Sequence, residues 1–220
     1  MREFHDRTAA GRSLAREVAA RAYADPLVLA LPRGGVPVAL EVARALQAPL
    51  DLVMVRKIGV PTQPELAAAA VVNGDHPEYV MNPRIMTAAG LSEADVAELA
   101  GPQLAEIRRR RHRYLSGRPQ RTVAGRTAIV VDDGIATGAT MRASLHAVAR
   151  KSPRRLILAV PLAPPQTIAD LRREVDEVIC LASPADFYAL GAHYDDFHQV
   201  SDDEVTRMLA EADSFLPGDG

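Results

Sequence analysis

Two adjacent carboxylates, Asp132 and Asp133, follow a β-branched run, Ile129-Val130-Val131, and precede a turn of mostly small residues: Gly134, Ile135, Ala136, Thr137, Gly138, Ala139 and Thr140. Acids in that place hold neutral hydroxyls or a metal ion and repel a phosphate. The turn does the opposite. If a helix starts after it, free backbone N–H groups and the positive end of the helix dipole point at whatever lies there, and Thr137 and Thr140 add hydroxyl donors. A single sugar phosphate satisfies both halves, with phosphate in the turn and ribose hydroxyls on the acids. A buried strand ending in a polar turn, with no ligand, is the plainer account of the same residues. A P-loop is excluded, because no G-x-x-x-x-G-K-[ST] occurs.

The stretch from Ile129 to Met141 resembles the motif by which type I phosphoribosyltransferases bind 5-phosphoribosyl 1-pyrophosphate (PRPP). That motif is an apolar strand, two acids, a short spacer and Thr-Gly-x-Thr, matched here by Thr137-Gly138-Ala139-Thr140. The resemblance implies Mg²⁺-dependent transfer of the phosphoribosyl group to a nitrogenous acceptor, a purine-like base being one candidate, with release of pyrophosphate, and a homodimer. It assigns Asp132 and Asp133 to the ribose hydroxyls and the metal, and the turn from Gly134 to Thr140 to the 5-phosphate. Hypoxanthine-guanine enzymes carry an Asp just before the motif's Thr-Gly. Ala136 stands there in this chain, as in adenine-type enzymes, which disfavours a 6-oxopurine without naming adenine.

Two further loops carry cations. Arg33-Gly34-Gly35 follows the apolar run Leu27–Leu31, at the strand end where open α/β sheets bind ligands. By the resemblance this is the pyrophosphate loop, which often contains a non-proline cis peptide, and Arg33 is its charge-assisted donor. A plain tight turn fits the three residues equally well. Arg56-Lys57-Ile58-Gly59-Val60-Pro61 reads as a mobile loop running to Pro64. It is similar to an Arg-Lys-x-Gly segment that closes over substrate in some family members, which implies that Lys57 neutralises developing pyrophosphate charge, while a solvated basic loop fits equally well.

These loops need a scaffold, and the pattern supplies one. A helix is expected over residues 8–23, capped by Thr8, with Leu14, Val18 and Ala22 on one face. Strands at 27–31 and 50–55, joined by a helix with Pro37 in its first turn, form a right-handed βαβ unit. Strands at 129–131, 156–160 and 177–181 alternate with helices at 141–150 and 167–174. The fold class is therefore α/β: an open, mainly parallel sheet of about five strands with helices on both faces, expected as one domain over 1–220. Residues 76–122 interrupt the alternation and read as a hairpin and helical insertion. The strands 67–72 and 78–81 flank Asn73-Gly74, and one helix is expected from the Ser92-x-x-Asp95 capping box through Leu115. It ends in Arg108-Arg109-Arg110-Arg111-His112-Arg113, either an anionic-partner face or a solvated helix end whose charges suit the dipole.

Residues 183–200 leave the alternation again and concentrate Phe187, Tyr188, Tyr194 and Phe197. In the resembled family this segment is the hood that selects the acceptor. It would stack the acceptor on Phe187 or Tyr188 and bring Asp195 near Mg²⁺. A satellite core of Phe187, Tyr194 and Phe197 under a loop is the alternative. A last helix is expected over 202–212.

Composition narrows the rest. Over 220 residues, 48% are hydrophobic and 25% charged, and the net charge of -2 gives no basic field to recruit nucleic acid. No apolar run approaches the ~18 residues of a spanning helix, and the N-terminus lacks an apolar signal region, so a cytoplasmic protein is expected. Cys180 is alone and falls in an expected strand, where inert packing accounts for it. None of the six histidines has metal-ligand spacing, which leaves a zinc site or a Ser/His/Asp hydrolase unsupported. Two other readings stay open: a regulator that binds PRPP or a nucleotide without transfer, and a binder of another phosphorylated sugar.

Overall fold

The computed structural model describes residues 2–72, 77–119 and 121–216. Five parallel strands form the central sheet: β1 (Pro26–Ala30), β2 (Leu50–Leu52), β6 (Thr127–Val131), β7 (Arg155–Leu162) and β8 (Glu177–Ala182). Their order is β2-β1-β6-β7-β8. The three inner strands β1, β6 and β7 are nearly continuous apolar runs because both of their faces are covered. Val28, Ala30, Ile129, Val131, Ile157 and Ala159 pack on one side with α1 (Arg7–Ala19), α2 (Gly35–Leu46) and α8 (Asp202–Ser214). The alternate residues Leu29, Ala128, Val130, Leu158 and Val160 pack on the other side with α6 (Ala139–Ala149) and α7 (Pro165–Leu171). The open sheet of five parallel strands between helical layers is the fold class expected from the sequence.

The chain leaves β1 for β2 on one side and leaves β6 for β7 and β8 on the other. Strand order therefore reverses between β1 and β6, which are paired from Pro26 with Thr127 to Ala30 with Val131. The loops after these two strands open into the crevice where such sheets bind ligands. They are the Arg33-Gly34-Gly35 loop and the turn after Asp132-Asp133.

Three local expectations are corrected. Asp6, not Thr8, caps α1: its side chain accepts from the Ala9 amide, and the helix ends at Ala19 with Ala22 at φ 48°. Arg56–Pro64 is not a loop. Val55–Val60 forms β3 of a second, antiparallel sheet, with β4 (Gln63–Val72) and β5 (Glu78–Met81). Ile58 and Val60 are buried, and Lys57 pairs with Ala70. Gly59 marks a register shift, because a Cβ there would lie 2.2 Å from the Pro64 carbonyl oxygen. The expected strands 67–72 and 78–81 do pair, and their turn at Asn73-Gly74 lies outside the described residues.

The third correction concerns the helix expected over 92–115. The Ser92/Asp95 capping box opens α4 (Glu93–Leu99), but the chain breaks at Ala100 and α5 (Gly101–Leu115) restarts with Pro102 in its first turn. The short α3 (Pro83–Ala89) precedes both. Among the described residues, no helix is long and apolar enough to cross a membrane.

Candidate active site

β6 ends at Val131, and the next residues turn sharply under the end of the sheet. The Asp133 amide donates to Asp132 Oδ1 at 2.9 Å, and the Ile135 amide donates to the Leu162 carbonyl at 2.8 Å. Among the described residues, no other amide from Gly134 to Thr140 donates to protein. α6 then starts at Ala139 with Gly138 as N-cap and no side-chain cap bond. Gly138 has φ 77°, a left-handed conformation that glycine adopts without penalty. Thr167 Oγ1 donates to the Ala136 carbonyl at 3.1 Å and pins the turn from outside. The result is a group of unclaimed N–H donors at a helix N-terminus, with exposed Thr137 and half-buried Thr140 beside them, which is a receptor for an anion.

The loop after β1 lies against the two aspartates. The Pro32–Arg33 peptide is cis. A Cβ on Gly34 would lie 2.2 Å from Asp133 Oδ2, and one on Gly35 would lie 2.9 Å from Asp132 Cα, so only glycine allows the approach. Arg33 Nη1 lies 3.5 Å from Asp202 Oδ1.

The two acids differ. Asp133 is buried and already paired: Arg7 Nε donates to its Oδ2 at 2.7 Å, with both side chains about a tenth exposed. Arg7 is held in turn, donating from Nη1 to the His198 carbonyl at 2.8 Å and lying 3.8 Å from the Phe197 ring centre. Tyr194 Oη donates to the Asp133 carbonyl at 2.6 Å. Asp132 is partly buried, and its carboxyl is pushed well above the usual range, first by burial and then by the charge of Asp133. Sequence reasoning misses Arg7 and Tyr194. Their partner lies far along the chain, and neither has a local signal.

Lys57 is exposed on β3. It lines a cleft of about 300 Å³ together with Ala139 and Arg142 of α6 and with Ala67, Ala69 and Met81 of the small sheet. Lys57 thus faces the start of α6 from a strand rather than from a mobile loop.

The expected hood residues fall into two surroundings. Tyr188 is 94% exposed and stacks on nothing among the described residues. Phe187 stacks on His193 with ring centres 5.1 Å apart, and Tyr194 stacks on Phe197 at the same distance. With Phe4, Leu190 and Leu162 these rings form the satellite core that the sequence leaves open as the alternative. Residues 3–5 hold this segment through backbone bonds to His193, Asp195 and Asp196. Asp195 lies at the surface, with its oxygens 3.2 Å from Arg2 Nη1 and 3.5 Å from His5 Nδ1. The segment still touches the site, because a Cβ on Gly134 would lie 2.2 Å from the Leu190 side chain.

Among the described residues, no cluster of three or more metal-ligating side chains forms. Of the two adjacent acids, only Asp132 offers a carboxylate not already tied to a cation. That donor set suits Mg²⁺ only in the form in which the ion takes most of its oxygens from water and substrate phosphates.

A model of the phosphoribosyl transferase domain matches residues 3–196. Two Mycobacterium tuberculosis proteins, from the CDC 1551 and H37Rv strains, are each 45% identical over 96% of this chain. Both are named "putative phosphoribosyl transferase". The matched region is 47% of each, so the chain spans about half the length of these curated relatives. A Thermus thermophilus protein of known crystal structure superposes with TM-score 0.84 at 43% identity, covering 96% of this chain and 99% of that one. With the match extending from the first residues of the N-terminal segment through the satellite core, the chain belongs to the phosphoribosyl transferase domain family.

Proposed function

We propose that the chain transfers the 5-phosphoribosyl group of PRPP to a nitrogenous acceptor, with a purine-like base as one candidate, and releases pyrophosphate. The observation that carries this reading is the set of unclaimed amides at the start of α6, next to Asp132 and facing the glycine loop after β1. The amides from Ala136 to Thr140, with Thr137 and Thr140, hold the 5-phosphate. Asp132 accepts from a ribose hydroxyl and lends negative charge to the oxocarbenium-like centre that forms as the C1–O bond breaks. Asp133, fixed by Arg7, sets the position of Asp132 and of Gly34. Arg33 and Lys57 stabilise the charge that accumulates on pyrophosphate. Asp132 would hold a Mg²⁺ ion that takes its other oxygens from water and PRPP, and the ion would supply further charge neutralisation.

A second reading, in which PRPP or a nucleotide binds without transfer, draws on Phe187, whose ring is stacked on His193 instead of standing open to an acceptor. Pyrophosphate release from PRPP and Mg²⁺, offered with a panel of nitrogenous bases, separates the two. Release with one acceptor class supports the transferase. Calorimetric PRPP binding without release for any acceptor supports the regulator, and absence of PRPP binding sinks both.

A further inference from the structure

The arginine run on α5 has no role in the site described so far, yet two of its members meet the loop after β1. The meeting point is Asp202, the first residue of α8. Its Oδ1 lies 3.5 Å from Arg33 Nη1 and accepts the Tyr114 hydroxyl. Its Oδ2 lies 3.5 Å from Arg113 Nη1 and 3.6 Å from Arg109 Nη1. These contacts hold the Asp202 carboxyl below the usual range, the Tyr114 hydroxyl contributing most and then Arg113, Arg109 and Arg33.

The geometry is loose where charge meets charge. Charge-assisted N–H···O bonds run to about 2.7–2.9 Å, and none of the three arginines comes that close to Asp202. Arg109 and Arg113 are about half exposed, and Arg33 a quarter. Their other partners are Glu106, which also takes Arg56 and Arg110, and Asp203, which Arg113 meets at 2.7 Å. Among the described residues of this cluster, the guanidiniums of Arg33, Arg56, Arg109, Arg110 and Arg113 face the carboxylates of Glu106, Asp202 and Asp203, an excess of two positive charges. The favourable placing of cations in the last turn of a helix accounts for Arg113 on α5. It does not account for the convergence of α5 and the β1 loop on one acid.

The geometry points to a polyanion seat in which Arg33, Arg109 and Arg113 together receive the pyrophosphate end of PRPP, with Asp202 holding them in its place when the seat is empty. This rests on the reading that the chain binds PRPP, and it extends the leaving-group site onto α5. The ligand takes over guanidiniums that Asp202 holds only at long range, so little ordering is needed on binding. The same chemistry would suit a phosphate or carboxylate carried by the acceptor, and the test distinguishes the two.

Calorimetry on the full chain at low salt, with inorganic pyrophosphate and ribose 5-phosphate titrated separately, reads the seat directly. The double variant Arg109→Gln/Arg113→Gln should weaken pyrophosphate binding about tenfold or more, the scale of losing bonds to a charged group. Ribose 5-phosphate, whose phosphate belongs at the start of α6, should bind within about twofold of wild type. Lysine at both positions should restore part of the affinity, which a merely structural role would not require. Asp202→Asn should tighten pyrophosphate by removing its competitor.

Unchanged pyrophosphate binding in the double variant overturns the proposal, and so does equal weakening of both ligands. Wild-type binding of ribose 5-phosphate without pyrophosphate overturns the leaving-group assignment in favour of an acceptor anion. Binding of neither ligand overturns the PRPP reading itself.

Discussion

The acid pair divides its work between two unlike carboxylates. Asp133 shares a nearly dry interior with Arg7, and removing one partner of such a pair leaves the other charge stranded at a cost of about 3–5 kcal/mol. Arg7→Met should therefore lower the melting temperature by roughly 10 °C, taking about 2–4 °C per kcal/mol for a chain of this size. An unchanged melting temperature by calorimetry would show that the pair is hydrated in solution. The same coupling makes Asp133→Asn a poor probe of chemistry, because lost turnover would mix with lost folding.

Asp132 is the cleaner target. Its folded pKa lies above its unfolded value of about 3.9, so the stability tied to its proton is present at low pH and is lost as pH rises through the folded pKa. Asp132→Asn should thus melt higher than wild type at pH 8, with the gap closing toward pH 4, while turnover falls by about 10²-fold or more. A gap that does not change with pH would refute the raised pKa. The run from Asp132 to Thr140 is legible in sequence because its acids, glycine and threonines act over one turn. Arg7, Tyr194 and Asp202 are not, since each meets its partner only after the sheet has brought distant segments together.

Elements differ in how plainly they are written, and the reasons are local. β1, β6 and β7 stand out because burial on both faces writes nearly uninterrupted apolar runs, and β8 stands out by its apolar run over 178–182 at the sheet edge. β3 reads as a loop because Gly59, Pro61 and Pro64 signal turns, and its partner β4 is built on Ala67–Ala70, a residue type that is poor in strands elsewhere. The pause between α4 and α5 is signalled by Gly101-Pro102 and masked by the apolar periodicity across it. The start of α6 invites a test at this scale. In Gly138→Ala the new methyl meets Thr167 at 2.9 Å in a left-handed conformation that costs about 1–2 kcal/mol. The helix start should tilt to relieve both, and calorimetric affinity for ribose 5-phosphate should drop about tenfold. Unaltered affinity would mean that the phosphate is bound somewhere other than the α6 amides.

At the scale of the whole molecule, the site sits where strand order reverses between β1 and β6, and segments far from both strands complete it. α1 supplies the cation for Asp133, and α8 supplies the acid for Arg33. A ribosome making this chain thus releases every strand of the central sheet before it releases Asp202. A nascent polypeptide paused just after β8 would carry the phosphate turn and the glycine loop with Arg33 swinging loose. Until α8 arrives, Arg33, Arg109 and Arg113 would stand without the acid that occupies their seat in the finished fold.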